Sequence, residues 1–315
     1  MERLLIALAV AAMFCPVLGS PVLQNGGMED PFDSGVASPW TYYSGGSITG
    51  PSPRQAKETS IVHGGASSQK LSGNAGNNAA NFGIRQALDA SIGDAFTFGG
   101  WVWPDSAGQY NETSIRAAWD GGTSALAATM LSNWLPAGSQ RQQWHEMALA
   151  GGNAVSTTVN LFLHSDRNTS NGSLLTYWDD IVAYHAYVPP APAAGNASFT
   201  TFDVNVDPGD NAANNLAEYA VTIGGGGYTI GVDWVQPDGT VTGSPAWRID
   251  PIWGTRTVTG LTPDTTYTIQ VKARYSFDIT QETFLGTGAE IKTLPEPAVA
   301  ALLGIGALML RRRRK

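Results

Sequence analysis

Residues 255–274, TRTVTGLTPDTTYTIQVKAR, decide the fold class of the C-terminal half of the chain. Every second position from Tyr267 to Ala273 is apolar, which is the period of a strand that buries one face. Pro263 separates this stretch from a shorter one before it. The pattern predicts two strands, 255–261 and 266–274, in an all-β domain.

These two strands resemble the E and F strands of a fibronectin type III domain, a β-sandwich. The resemblance implies that Tyr267 forms the corner hydrogen bond of that fold. It also implies that residues 290–293 form the last strand of a domain that spans 198–294. The glycine run 224–227 and the tryptophans before the quoted stretch depart from the plain family pattern.

A proline- and alanine-rich segment at 188–197 predicts a linker between two domains, because it offers little to bury and few backbone donors. The preceding region, 21–187, alternates strand-like stretches with Gly/Asn/Ser-rich turns, so an all-β domain is predicted there too. One short helix is conceivable around 124–131. The predicted strands are 95–103, 113–119, 144–150, 156–164 and 174–184.

Four short motifs follow one another in this first region: 25–29 with Trp40 after it, 65–71, 99–103 and 177–181. Their order and spacing resemble the galactose-binding-like jelly roll that many carbohydrate-binding modules use. The resemblance covers about 22–187. It implies a jelly-roll β-sandwich whose partner is a polysaccharide or another glycan.

Members of this superfamily often hold a structural calcium where the first and last strands meet. Glu29 and either Asp179 or Asp180 occupy the matching positions, and Ca²⁺ prefers such oxygen ligands. Side chains of consecutive strand residues point to opposite faces, so at most one of the two aspartates is expected to face Glu29. The alternative is that these carboxylates are solvated and bind no metal.

Aromatic rings supply the stacking surface for sugars in such folds, although most tryptophans of a β-sandwich belong to its core. Phe98 and Val102 share one face of strand 95–103, whereas Trp101 and Trp103 share the other. We therefore name Trp101, Trp103, Trp119 and Asp120 as candidate carbohydrate-binding residues. Asp120, followed by two glycines, is more typical of a turn than of the edge of a sugar-binding groove.

The two ends of the chain carry export features. Residues 1–20 have one early arginine, an apolar run and small residues at the end, the outline of a secretory signal peptide. A lipoprotein signal at Cys15 is the alternative. The hydrophobic run is too short for a permanent membrane span.

At the C-terminus, Pro295, Glu296 and Pro297 precede an uncharged stretch and five basic residues. This order resembles the PEP-CTERM sorting signal over 295–315. A helix of the thirteen uncharged residues would span about 20 Å, short of a bilayer core. The resemblance implies processing by an exosortase-type enzyme, with membrane contact through this apolar helix beforehand. A tail anchor or a buried helix are the alternatives.

Without residues 1–20 and 311–315, the chain keeps 12 of its 18 basic and 25 of its 26 acidic residues, a net charge of −13. Such a charge opposes binding to nucleic acid. The only cysteine lies in the predicted signal, so no disulfide is expected. The four histidines follow no catalytic or metal-binding spacing, and no nucleophile elbow or phosphate loop occurs.

We therefore expect a non-enzymatic protein exported to the cell surface, outer envelope or extracellular matrix. Its first domain would bind carbohydrate and its second would act as a spacer. The alternatives are a purely structural matrix or adhesion protein without a sugar site, and a glycan-active hydrolase. A hydrolase requires two carboxylates about 5–10 Å apart in an open cleft.

Overall fold

The computed structural model describes residues 23–49, 54–105, 112–134, 141–167, 172–213, 216–276 and 278–296. These residues form strands, one 3₁₀ turn at Gly209–Ala213 and one single-turn helix, α1, at Asp250–Trp253. The predicted all-β class is confirmed. The chain divides into two compact units. The first comprises the chain up to Val188 together with Asp210–Ala217 and Ala273–Phe284, and the second comprises the remainder. The predicted domains, 21–187 and 198–294, differ from these units in those two inserted segments.

Eleven strands of the described residues precede the predicted linker. They are β1 (Phe32–Asp33), β2 (Val36–Ala37), β3 (Thr41–Thr49), β4 (Gln55–Glu58), β5 (Ser68–Asp89), β6 (Ala95–Pro104), β7 (Glu112–Ala118), β8 (Thr129–Trp134), β9 (His145–Asn153), β10 (Thr158–Arg167) and β11 (Gly172–Ala186). Five of them match the strands predicted from the sequence, with ends shifted by at most three residues.

The 22-residue strand β5 belongs to both layers of a β-sandwich. Its first part pairs with β4 on one side and β11 on the other, and β6 and β9 continue that layer. Its last part pairs with β3 and β10, and β7 and β8 continue the second layer. The first unit is therefore a jelly-roll sandwich of two antiparallel layers.

The hydrophobic core lies between these two layers. Trp178, Phe98 and Val102 face it from the first layer, and all three are fully buried. Phe82 and Leu161 face it from the second layer. Burying a side chain of this size contributes about 2–3 kcal/mol. This core assigns the Phe98 face of β6 to the interior and leaves the Trp101 face outside.

The helix considered around 124–131 is not formed. Residues 125–127 make a turn, and β8 begins at Thr129. Ala125 and Ala128 are buried against Phe162 of β10, whereas Leu126 is exposed. A turn suffices to bury these two small side chains, so nothing stabilises a helix here.

The second sandwich begins at β12 (Ala193–Gly195). Its further strands are β13 (Phe202–Asn205), β14 (Ala217–Gly224), β15 (Trp234–Val235), β16 (Val241–Thr242), β17 (Arg248–Ile249), β18 (Thr255–Val258), β19 (Thr266–Tyr275), β20 (Asp278–Glu282) and β21 (Ala289–Lys292). One sheet has the order β12-β13-β18, and the other has the order β16-β15-β14-β19-β20 with β21 paired to β19. This is the fibronectin type III-like arrangement that the sequence predicts.

The tyrosine corner of this domain is confirmed. The fully buried Tyr267 on β19 accepts a hydrogen bond of 2.8 Å from the backbone N–H of Thr262 to its hydroxyl. The alternating residues Ile269, Val271 and Ala273 are also fully buried. The hydrogen bond ties the loop after β18 to the domain core.

The predicted linker at 188–197 is in part a strand. Residues 193–195 form β12, whose backbone pairs with Asp203–Asn205 of β13. Backbone hydrogen bonds between strands do not require large side chains. The composition of this segment therefore did not reveal the strand. The segment therefore supplies the first strand of the second sandwich.

The two sorting regions fall largely outside the described residues. The predicted signal peptide at 1–20, Pro297 and the apolar and basic residues after it are among the residues that are not described. Pro295 and Glu296 are described and exposed. Among the helices of the described residues, none has the length and apolarity needed to cross a membrane.

Candidate functional site

A glycine-rich loop, residues 63–67, is held against the first sandwich by acidic side chains. Glu29 Oε1 accepts hydrogen bonds from the N–H groups of Ala66 (2.7 Å) and Ser67 (3.2 Å). Asp179 Oδ2 accepts hydrogen bonds from the N–H groups of His63 (2.9 Å) and Gly64 (3.2 Å). Carboxylates thus accept hydrogen bonds from four of the five backbone N–H groups of this loop, all except that of Gly65, and these bonds fix the path of the loop.

Asp180 reaches the same loop through a β-bulge in β11. The register against β6 shifts between Asp179 and Val182, and Asp180 has a φ of 47°. Its Oδ2 atom lies 2.7 Å from Nδ1 of His63. The expectation that only one of the two aspartates lies on the side of Glu29 is therefore wrong, because the bulge cancels the strand alternation.

The loop approaches these carboxylates closely because it contains two glycines. A Cβ at Gly65 would lie 1.9 Å from Oε1 of Glu29, and the φ of Gly65 is +66°. A Cβ at Gly64 would lie 2.5 Å from Oδ2 of Asp180. A side chain at either position would therefore displace these carboxylates or the loop.

Burial changes the acidity of Asp179, which is fully buried. Loss of water raises the pKa of its carboxyl to about 6, and the negative charge of Asp180 adds to the rise. The carboxylate also accepts hydrogen bonds from backbone N–H groups, and these bonds oppose the rise in pKa without cancelling it. Asp179 therefore has the role of a loop acceptor inside the fold.

Four aromatic rings form a cluster on the outer face of β6, beside this loop. The ring of His63 is stacked on Trp101, with centroids 4.0 Å apart and planes inclined by 18°. Trp144 packs edge-on against His63 at 5.4 Å and against Trp103 at 5.8 Å. We call these four residues the ring cluster. Its three tryptophans are half-buried, so each keeps part of its ring in solvent.

His63 and Trp144 were not among the candidate residues chosen from the sequence. Trp144 was one of several tryptophans with no distinguishing pattern, and His63 appeared as an isolated histidine. His63 reaches Trp101 because Asp179 and Asp180 hold its backbone and its ring. Contacts between residues more than a hundred positions apart create this arrangement, and a single sequence does not display them.

Trp119 and Asp120 lie elsewhere. Trp119 packs against the hydrophobic core, with its ring 6.1 Å from that of Phe98 on the inward face of β6. Asp120 is exposed and accepts a hydrogen bond of 2.9 Å from the N–H of Gly122 to its Oδ1. The structure therefore does not bring these two candidates to the ring cluster, and Asp120 makes the predicted turn.

Polar groups surround the ring cluster. Glu146 of β9 lies directly opposite Trp101 and is exposed. Tyr177 of β11 lies opposite Trp103 and is buried. Burial and the charges of Asp105 and Glu58 raise the pKa of the Tyr177 hydroxyl to about 12. The boundary of the cluster is therefore rich in carboxylates.

One cation also lies beside this buried tyrosine. Lys70 of β5 stands over the Tyr177 ring, with Nζ 5.6 Å from the centroid. The same ammonium lies 3.6 Å from Oε2 of Glu58. Its charge is thus largely matched by a carboxylate of the neighbouring strand.

Several carboxylate oxygens lie near the loop, and Ca²⁺ is coordinated in proteins by about six to eight oxygen ligands. Glu29 Cγ and Asp180 Oδ1 both lie 3.9 Å from the position that a Cβ on Gly27 would take, so the two carboxylates are neighbours. Both oxygens of Asp179 accept hydrogen bonds from backbone N–H groups, and both oxygens of Glu29 accept hydrogen bonds from the loop. Within the described parts of the chain, no group of three or more His, Cys, Asp or Glu residues is arranged to hold a metal. The carboxylates of Glu29 and Asp180 are the oxygen groups that the structure places close together beside the loop.

A second polar cluster lies on the outer face of the other layer. His164 of β10 is fully buried, and its Nδ1 lies 2.9 Å from the hydroxyl of Tyr43. Glu112 and Arg116 of β7 form a buried ion pair of 2.6 Å nearby. Burial, with the charge of Arg116, lowers the pKa of His164 to about 4 against the opposing effect of Glu112.

Comparisons with known proteins show no family for this chain. No family model matches it, and no curated protein matches it. Its resemblance to known proteins is therefore structural.

The solved structures that it resembles include binding modules and enzymes. TmCBM61, a carbohydrate-binding module solved in complex with β-1,4-galactotriose, is 14% identical with a TM-score of 0.36, over 52% of this chain and 97% of that one. A fibronectin type III domain of a human protein is 17% identical with a TM-score of 0.26, over 35% and 88%. A β-1,2-glucanase from Parabacteroides distasonis is 14% identical with a TM-score of 0.30, over 82% of this chain and only 37% of the enzyme. At such scores these neighbours do not identify a ligand or an activity.

Proposed function

We propose that the protein binds carbohydrate through the ring cluster of its first domain and performs no catalysis. The observation that carries the proposal is the packing of Trp101, Trp103, Trp144 and His63 at a single place on the outer face of β6. The large apolar area of tryptophan favours its burial in the core. Three that remain half-exposed side by side form a surface suited to the apolar face of a sugar ring.

The ring faces available for stacking differ between the tryptophans. The imidazole of His63 covers one face of Trp101 at 4.0 Å, so that face cannot receive a sugar. The planes of Trp103 and Trp144 are inclined by 70°, so these two rings meet edge to face and are not stacked on each other. We therefore assign the stacking contacts to Trp103 and Trp144, and to Trp101 the role of positioning the loop that carries His63.

The test is a glycan array probed with the full-length protein and with two variants. Trp103→Ala and Trp144→Ala should each weaken binding to the best glycan about tenfold, the value of one aromatic contact. Phe199→Ala, which removes an exposed aromatic ring from the second domain, is the matched control and should leave binding unchanged. Binding to no glycan would favour the purely structural alternative. Release of reducing ends from a bound glycan would identify a hydrolase instead.

We further propose a structural calcium at Glu29 and Asp180, completed by backbone carbonyls. A cation there would neutralise the two carboxylates beside the glycine-rich loop and stabilise the loop. Melting of the full-length protein should then occur at a higher temperature with 2 mM CaCl₂ than with a chelator. The Glu29→Gln variant should lose this difference, whereas equal melting temperatures for the wild type would contradict the proposal.

The proposal for export rests on the sequence features at the two ends. We propose that residues 1–20 direct secretion and that the segment from Pro295 is processed by an exosortase-type enzyme. The mature protein would then expose its ring cluster to polysaccharide at the cell surface, with the second domain as spacer. Mass spectrometry of protein from the native cell should show loss of both termini, and an intact chain in the cytosol would contradict this.

A further inference from the structure

Charged side chains around the ring cluster influence which sugars it accepts. The carboxylate of Glu146 is exposed, and this residue lies directly opposite Trp101 in the β6–β9 pair. Residues directly opposite each other in an antiparallel pair share a face and stand about 5 Å apart. The Glu146 carboxylate therefore lies on the same side of the sheet as the exposed rings.

A second carboxylate lies at the other end of the cluster. Asp105 follows Trp103 by two residues and continues the same face of β6, since its N–H still bonds to the strand partner Leu175 at 3.0 Å. Its charge acts on the hydroxyl of Tyr177, the residue opposite Trp103. A ligand over Trp103 would therefore lie within reach of this negative charge.

A third carboxylate, Asp180, is half-exposed and holds the His63 ring that stacks on Trp101. The ammonium of Lys70 is already matched by Glu58, 3.6 Å away, and the His63 ring engages Asp180 at 2.7 Å. Residues 21–188 contain 13 acidic and only seven basic residues, so the wider surface carries the same sign.

From this geometry we infer that the ring cluster selects uncharged glycans and rejects those that carry carboxylate or sulfate groups. The inference rests on the proposed function and narrows its ligand class. Carboxylate oxygens accept hydrogen bonds from sugar hydroxyls, whereas an anionic substituent would meet the like charge of the exposed Glu146 on an acidic domain. One like charge at about 7 Å weakens binding roughly threefold in bulk water and up to roughly fiftyfold in a desolvated contact.

The experiment uses a matched pair of probes. One is the best-binding polysaccharide of the glycan array, and the other is its charge-altered form. An uncharged polysaccharide is oxidised at its primary alcohols to carboxylates, and an anionic one is reduced at its carboxylates to alcohols. Affinity electrophoresis of the full-length protein should show at least tenfold weaker retention by the carboxylated form in 50 mM NaCl. In 500 mM NaCl that difference should shrink to about threefold or less, because salt screens exposed charges.

Two variants identify the source of the discrimination. Glu146→Gln keeps the shape of the side chain and removes its charge, so it should reduce the difference between the two probes at least threefold. Glu290→Gln removes an equal charge from an exposed position on β21 and should leave the difference intact. Equal or stronger retention by the carboxylated form, or no effect of Glu146→Gln, would overturn the inference while leaving carbohydrate binding in place. Retention by neither form would overturn both.

Discussion

Acid should destabilise the first domain through His164. Its ring is fully buried, and its pKa lies near 4 instead of the usual 6.5. A group whose pKa is lower in the folded state stabilises the fold above its unfolded pKa, and this stability is lost as the pH falls through the folded value. The relevant window therefore runs from about pH 6.5 down to about pH 4.

The magnitude follows from the size of the shift. A difference of about 2.5 in pKa corresponds to about 3 kcal/mol once both states are protonated, at 1.36 kcal/mol for each pKa unit. By pH 4.5 most of this loss should have occurred. The hydrogen bond between His164 and Tyr43 contributes separately, about 1 kcal/mol at neutral pH.

The assay is urea unfolding of the full-length protein at several pH values, followed by tryptophan fluorescence. His164→Phe keeps a ring of similar size but cannot bind a proton or bond to Tyr43. It should therefore be less stable than the wild type at pH 7.5 and more stable at pH 4.5. Parallel curves for the wild type and His164→Phe between pH 7.5 and 4.5 would refute the reasoning.

Three further variants test the fold and the loop. Tyr267→Phe should lower the free energy of unfolding of the second domain by about 1–2 kcal/mol in urea titrations, because a buried backbone donor loses its acceptor. Gly65→Ala should destabilise the first domain by about 2–4 kcal/mol in thermal melts, because Gly65 has a positive φ and the new Cβ would collide with Glu29. Gly243→Ala, the control, adds its Cβ in open space and should leave stability unchanged. Asp120→Ala should cost less than about 1 kcal/mol and leave glycan affinity unchanged; a tenfold loss of affinity would return this residue to the binding site.

Strand alternation predicted the elements that bury one face. The strands that contain Phe98, Leu161 and Tyr267 were found in the sequence because their apolar residues recur at every second position. The longest strand, β5, was missed, because residues 72–81 are mostly glycine, asparagine and alanine. Such residues have low strand propensity, and their pairing with three neighbouring strands determines their conformation.

The candidate site was predicted only in part. Trp101 and Trp103 were predicted because they share one face of β6, and the opposite face carries the core residues Phe98 and Val102. The positions of His63 and Trp144 depend on where distant segments meet, and the turn at Asp120 satisfies a local donor. The bulge at Asp180 reversed an expectation that regular strand geometry supports.

The central claim is that sugar rings stack on Trp103 and Trp144, and tryptophan fluorescence measures that contact directly. Titration of the full-length protein with the best glycan from the array should shift or quench the emission in a saturable way. The change should be strongly reduced in the Trp103→Ala/Trp144→Ala double variant, with the affinity falling about a hundredfold. Full-strength binding by a folded double variant, with the wild-type fluorescence change, would contradict the account.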